Sequence, residues 1–164
     1  MSMANARTAD YLKVVGPLLA TAKDLARRYK NATGRPLGIT GEVAEYEAVR
    51  LLELDICEVR QRGYDATCES GPPRRVQIKG RSLAQTKGGR LGSIDLTKEW
   101  DSVVLVSLNG EYEPVLIHEA PREAVEAALT KPGSKSRNVR GQLGVSQFIR
   151  IARVRWSAAQ GIHS

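Results

Sequence analysis

Residues 63–81 read GYDATCESGPPRRVQIKGR. Two strand-like runs, YDATC and RRVQIKGR, flank the turn signal ESGPP, and the stretch predicts an antiparallel pair. In the second run Val76 and Ile78 alternate with Gln77 and Lys79, so the apolar side chains share one face and the amide and ammonium the other. A turn centred near residue 72 sets Asp65 close to opposite Lys79. Gln77 and Lys79 stand roughly 7 Å apart along the strand. The spacing predicts that an acid, an amide oxygen and an ammonium meet at one point.

Before this pair the pattern is helical. Residues 9–31 carry Leu12, Val15, Leu19, Ala22, Leu25, Ala26 and Tyr29 at helical spacing. Gly16-Pro17 is expected to kink or split that helix, because proline cannot donate to the preceding turn. Gly34 and Pro36 end it. Thr40 is placed to cap a second helix, GEVAEYEAVRLLEL, with Ala44, Ala48, Leu51 and Leu52 as its inward stripe. ICEVRQ reads as one more short strand.

After the pair comes the polar, glycine-rich loop QTKGGRLGS. DSVVLVSL is the most apolar run and reads as a buried central strand. Asn109-Gly110 turns it into EPVLIHEA, giving a hairpin. Pro121 opens a helix that stops at Lys131-Pro132-Gly133, and residues 133–144 read as loop. The tail GVSQFIRIARVRW fits two periods, with Phe148 and Ile151 at helical spacing and Ile149 to Arg155 alternating; a helix capped by Ser146 is the preferred expectation. The order predicts an α/β fold with a mixed sheet flanked by helices. It spans 1–164 as one domain, with an N-terminal helical segment (1–36), a core (37–130) and a basic C-terminal segment (131–164).

The 164 residues carry a net charge of +7, distributed in blocks. Residues 1–40 sum to +5, 41–69 to −5, 70–98 to +6, 99–130 to −6 and 131–164 to +7. Alternating blocks imply acidic and basic faces, and an anionic polymer is the natural partner of the basic ones. One Phe, two Trp and five Tyr are too few for base stacking to be the main binding device. Cys57 and Cys68, with only His118 and His163 beside them, make neither a zinc motif nor a disulfide scaffold, and fit a reducing cytosol. The opening residues have no apolar core of a signal peptide, and no run is long enough for a membrane span. The expected location is the cytoplasm.

A hard cation such as Mg²⁺ takes oxygen ligands and keeps several waters. Asp65 offers a carboxylate, Gln77 an amide oxygen and Ile78 its backbone carbonyl. A helix with glutamate in TGEVAEYEA, an acid in GYDA and a lysine in VQIKGR resemble, in that order, the PD-(D/E)XK nuclease superfamily, which includes restriction endonucleases. The resemblance covers residues 38–108 and implies a restriction-endonuclease-like fold. It also implies Mg²⁺- or Mn²⁺-dependent hydrolysis of DNA phosphodiesters, with RNA as the second candidate.

Carried over by position, it makes Asp65 a metal ligand and Lys79 the group that orients the attacking water. Glu42, beside Gly41, is the preferred helix ligand, with Glu45 second and Glu47 a further candidate. Gln77 stands where a second acid is usual, which removes a negative charge and shifts the burden to the helix glutamate. GYDA also lacks a proline before its acid.

Arg74, Arg75, Arg81, Lys87 and Arg90 surround these positions in sequence as candidate phosphate contacts, and Arg150, Arg153 and Arg155 are placed to extend the groove. His118, Trp100 and Trp156 read as structural. Cutting two strands calls for two sites, which makes a homodimer an expectation. Two alternatives stand beside the nuclease. One is a nuclease fold that binds nucleic acid or a partner without cutting; the other is an unrelated α/β protein whose Asp65–Lys79 pair is a cross-strand contact worth under about 1 kcal/mol.

Overall fold

The DSVVLVSL run lies at the centre of the molecule. A computed structural model describes residues 3–58, 63–85 and 88–163. In it β4 (Ser102–Leu108) is buried along its whole length. Its side chains alternate between two cores: Val104, Val106 and Leu108 enter one, Val103 and Leu105 the other. A strand buried on both faces needs apolar residues in both registers, which explains why this run shows no polar alternation.

Around β4 the sheet reads β1 (Asp55–Ile56), β2 (Ala66–Cys68), β3 (Arg74–Ser82), β4, β5 (Pro114–Pro121), β6 (Arg153–Ser157) and β7 (Gly161–Ile162), in that spatial order. β3 and β4 are parallel and every other pair is antiparallel, so the sheet is mixed. The fold is α/β with helices on both faces, as expected.

Helices α1 (Met3–Thr33) and α2 (Thr40–Leu51) cover the first face. The connection from β3 to β4 covers the second, burying Leu91, Ile94 and Trp100 with α3 (Arg122–Thr130) and α5 (Val145–Ile151). No described helix is long and apolar enough to cross a membrane.

Four local expectations change. Helix α1 runs unbroken through Pro17. At Gly16 helix α1 lies close against α2: a Cβ there would stand 2.5 Å from Tyr46 Oη, so packing against α2 supports a turn weakened by proline. Helix α2 begins at Thr40, with Ile39 at the cap position and no side-chain cap bond. A short helix, α4 (Lys135–Asn138), interrupts the polar segment after α3.

The tail divides. Residues 145–151 are helical, starting at Gly144 instead of Ser146, and 153–157 form β6 against β5. Both periods in the tail were real, each for half of it. The basic C-terminal segment is therefore part of the sheet.

Candidate active site

The pairing of β2 with β3 sets the site. Ala66 pairs with Val76, Thr67 with Arg75 and Cys68 with Arg74. This register lies two residues from the expected one and puts Asp65 level with Gln77 instead of Lys79. A shift of two preserves which face each side chain takes. Gln77, Lys79 and Arg81 accordingly share the second face with Val103 and Leu105, while Val76, Ile78 and Gly80 face α2.

Asp65 uses part of its carboxylate at the strand edge. Its N–H donates to Val76 O at 2.9 Å, and its Oδ2 accepts from Ile78 N at 2.7 Å. The carboxylate thus takes the place of the next backbone carbonyl, and the ladder between β2 and β3 ends on a side chain. Burial raises the Asp65 pKa, against the Ile78 N–H and the Lys79 charge, which lower it. In an extended strand the N–H and C=O of one residue point the same way. The Ile78 carbonyl therefore faces this end of the ladder too.

Beyond the break β3 continues to Ser82 alongside β4. Helix α2 rests on it at Gly80, where a Cβ would meet Ala44 Cβ at 2.6 Å and Thr40 O at 2.7 Å. Only hydrogen fits, and this close approach delivers the acids of α2 to the strand. Glu45 is the one whose carboxyl senses Asp65 and Lys79. Burial first, then the charges of Asp65 and Glu42, push its pKa up to about 7, with Lys79 opposing.

Glu42, the preferred residue from sequence, is exposed in the first turn and acts on Glu45. Glu47 is buried and bound elsewhere, to Arg50 at 2.6 Å and Lys23 at 3.4 Å. Tyr11 of α1, which no sequence signal linked to the site, also adjoins Glu45. Its pKa rises to about 12 through burial, then Glu45 and Tyr46.

Lys79 Nζ donates to Ser93 O at 3.1 Å, anchored by the β3–β4 connection. Burial lowers its pKa most, with Arg81 adding to the effect and Asp65 and Glu45 opposing it. Gln77 Oε1 is buried and accepts no hydrogen bond among the described residues. Buried polar atoms rarely lack a partner, so this acceptor is a feature to explain. Among the described residues no three His, Cys, Asp or Glu side chains converge as a metal cluster. The oxygen donors at this end of the ladder are the Asp65 carboxylate and the Ile78 carbonyl, with Glu45 near enough for the Asp65 charge to act on it and Gln77 Oε1 buried on the same strand. Carboxylate, amide and carbonyl oxygens are the donor types that a hard cation takes.

The candidate phosphate contacts separate into two groups. Arg75 is clasped by Asp101, through its own N–H at 2.7 Å and Nε at 2.9 Å, and by Glu99 at 2.7 Å. Arg74, Arg153 and Arg155 converge on Glu119, a buried carboxylate that also accepts from Ser102 Oγ. Arg150 returns to Ser146 O within α5. Arg81 and Arg90 bind backbone carbonyls instead. Lys87 lies outside the described residues.

His118 is buried on β5, where burial lowers its pKa, and its Nδ1 has no partner among the described residues. Trp100 is fully buried under Arg122, and Trp156 packs on the first core. Compared with protein families and with curated proteins, the chain has no match.

Proposed function

We propose that this protein is a Mg²⁺- or Mn²⁺-dependent endonuclease that hydrolyses DNA phosphodiester bonds, with Asp65, Glu45, Gln77 and Lys79 as its working residues. The observation that carries the reading is Asp65 at the break between β2 and β3, electrostatically coupled to Glu45 from α2 and Lys79 from β3. Asp65, Glu45 and Lys79 come from three parts of the chain and act on one another's charge, while among the described residues no ion pair within 4 Å ties Lys79 to either acid.

Asp65, its Oδ2 fixed by the Ile78 N–H, keeps Oδ1 for a cation. Glu45 supplies the second carboxylate, with Gln77 Oε1 and the Ile78 carbonyl as neutral donors. A bound Mg²⁺ would neutralise phosphate charge and acidify a water. Lys79, steadied by Ser93 O, orients the attacking water and stabilises negative charge building on the phosphoryl oxygens. Glu42, at the exposed start of α2, serves by raising the Glu45 pKa. Cutting both strands calls for two copies of the site and hence a homodimer, which sedimentation would reveal.

The experiment is incubation of supercoiled plasmid with pure protein in Mg²⁺ and in Mn²⁺. Asp65→Asn and Lys79→Ala are each expected to lower nicking by at least about 10²-fold, the scale for loss of one electrostatic group. Intact supercoiled, linear and branched DNA with both metals sinks the proposal.

A second reading is favoured by one observation, the neutral Gln77 where an acid is usual. In it the protein binds nucleic acid, with RNA a second candidate, and does not cut. Salt-dependent binding indifferent to divalent ions and to Lys79→Ala would support it.

A further inference from the structure

Next to Lys79 lies a cleft of about 600 Å³. Its walls are Gly80 and Arg81 of β3, Thr40 at the start of α2, and Gly88, Gly89 and Arg90 of the following loop. Among the described residues no acid lines it. Arg81 Nε donates to Arg90 O at 2.7 Å and Nη1 to Gly80 O at 2.6 Å. A guanidinium has five N–H donors, and among the described residues these two bonds leave the others over. Among the described residues Arg90 Nη1 reaches Gln142 O alone, at 3.5 Å. Among the described residues neither guanidinium has a carboxylate within ion-pair distance, whereas Arg74, Arg75 and Arg155 each do.

This is an unusual balance for a part-buried arginine. A Cβ on Gly92 would lie 3.7 Å from Lys79 Nζ and 3.8 Å from Arg81 Nη2, so the two cations stand close together. A half-buried charge is stabilised by a counter-ion, and the cleft provides none of its own. Any occupant that relieves both cations is an anion. Planar guanidinium donors and glycine backbone that allows close approach match phosphate oxygens.

We infer that the cleft between Arg81, Arg90 and the Gly88-Gly89 backbone is a phosphate-binding subsite that seats a non-scissile phosphate of the nucleic-acid strand attacked at Lys79. The strand assignment rests on the nuclease reading; the phosphate chemistry does not. With one phosphate held here, the next along the strand is directed towards Lys79 and the two acids. Arg81 and Arg90 are positioning residues, which touch the strand away from the bond that breaks.

The test measures binding without cleavage, in EDTA, with the Lys79→Ala protein. A fluorescent single-stranded decanucleotide is titrated across a salt series, with pyrophosphate and ATP as competitors. Arg81→Ala and Arg90→Ala are each expected to weaken binding several-fold and to make the salt dependence shallower by about 0.7, one phosphate contact on a single strand. Arg75→Ala, whose charge is already met by Asp101, leaves the slope unchanged.

Arg90 is exposed and weakly bonded, so its variant folds even where loss of Arg81 loosens the loop. Unchanged affinity and slope in both variants overturn the subsite, while plasmid nicking can still stand. Reduced binding in both, from a wild-type protein that cuts nothing, sustains the subsite and removes the nuclease. Tight pyrophosphate or ATP binding with no decanucleotide binding overturns the strand assignment.

Discussion

Glu45 and Glu47 stand two residues apart on α2, and their surroundings differ in kind. Glu47 is buried beside Lys23 and Arg50, with one oxygen for each cation. Glu45 is half-buried beside another acid, Asp65, and a lysine that remains beyond ion-pair distance. The first arrangement is complete and holds α1, α2 and the 109–113 turn together through Lys23, which also meets Glu113 at 3.2 Å. The second is incomplete, with like charges kept close by a fold that gains no stability from their proximity. Complete ionic groups serve the structure; incomplete ones are where chemistry or a ligand is to be sought.

The largest test of this contrast is Glu47→Ala. It leaves Lys23 buried with half its partners, and breaking such a pair costs about 3–5 kcal/mol. The remaining Glu113 contact places the expected loss near about 3 kcal/mol, read as a lower denaturant midpoint at unchanged slope. A neutral result would mean that Glu47 is no more structural than Glu45.

Gly80→Ala comes next. Its Cβ would meet Ala44 and the Thr40 carbonyl well inside contact distance, and α2 would have to shift. Overpacking of this kind costs about 1–3 kcal/mol. Because α2 carries Glu45, plasmid nicking should fall by more than the loss of folded protein explains. Nicking that tracks folded protein alone would show that the position of α2 on β3 is not critical.

The smallest effect is the pH response of Glu45. Its folded pKa, about 7, lies above its ordinary value of 4.5. The contribution to stability is therefore full below about 4.5 and lost as pH rises through about 7. Without metal, the melting temperature of the wild type should decline over that window relative to Glu45→Gln. Mg²⁺ should reverse the decline, since a cation favours the charged form. Parallel curves for the two proteins would remove Glu45 from the site.

Most of the elements were legible in local pattern. The unbroken apolar run marked β4, Asn109-Gly110 marked the hairpin, and Val76–Lys79 alternation showed which side chains share a face. The register of β2 against β3 was not legible, because Asp65 ends the ladder by accepting from Ile78 N with its side chain. No turn rule anticipates that bond. That Glu45 senses the Asp65 charge depends on how α2 lies over Gly80, a contact between segments 36 residues apart. Helix α1 survived Pro17 for a similar reason, since α2 packs against Gly16.

Arginines offered the least local information. Arg74, Arg75, Arg81 and Arg90 look alike in a basic stretch, yet two are neutralised by Glu119 and Asp101 and two are not.

By itself, then, the sequence determined the α/β class, the central strand and the presence of an acid and a lysine near one turn. Backbone periodicity and turn chemistry act over a few residues, and they leave their mark in local order. Only the tertiary structure decided which glutamate feels the Asp65 charge, which arginines are met by an acid, and how the tail divides between helix and strand. Those outcomes depend on burial and on charges brought together from distant parts of the chain, and neither is written in any short stretch.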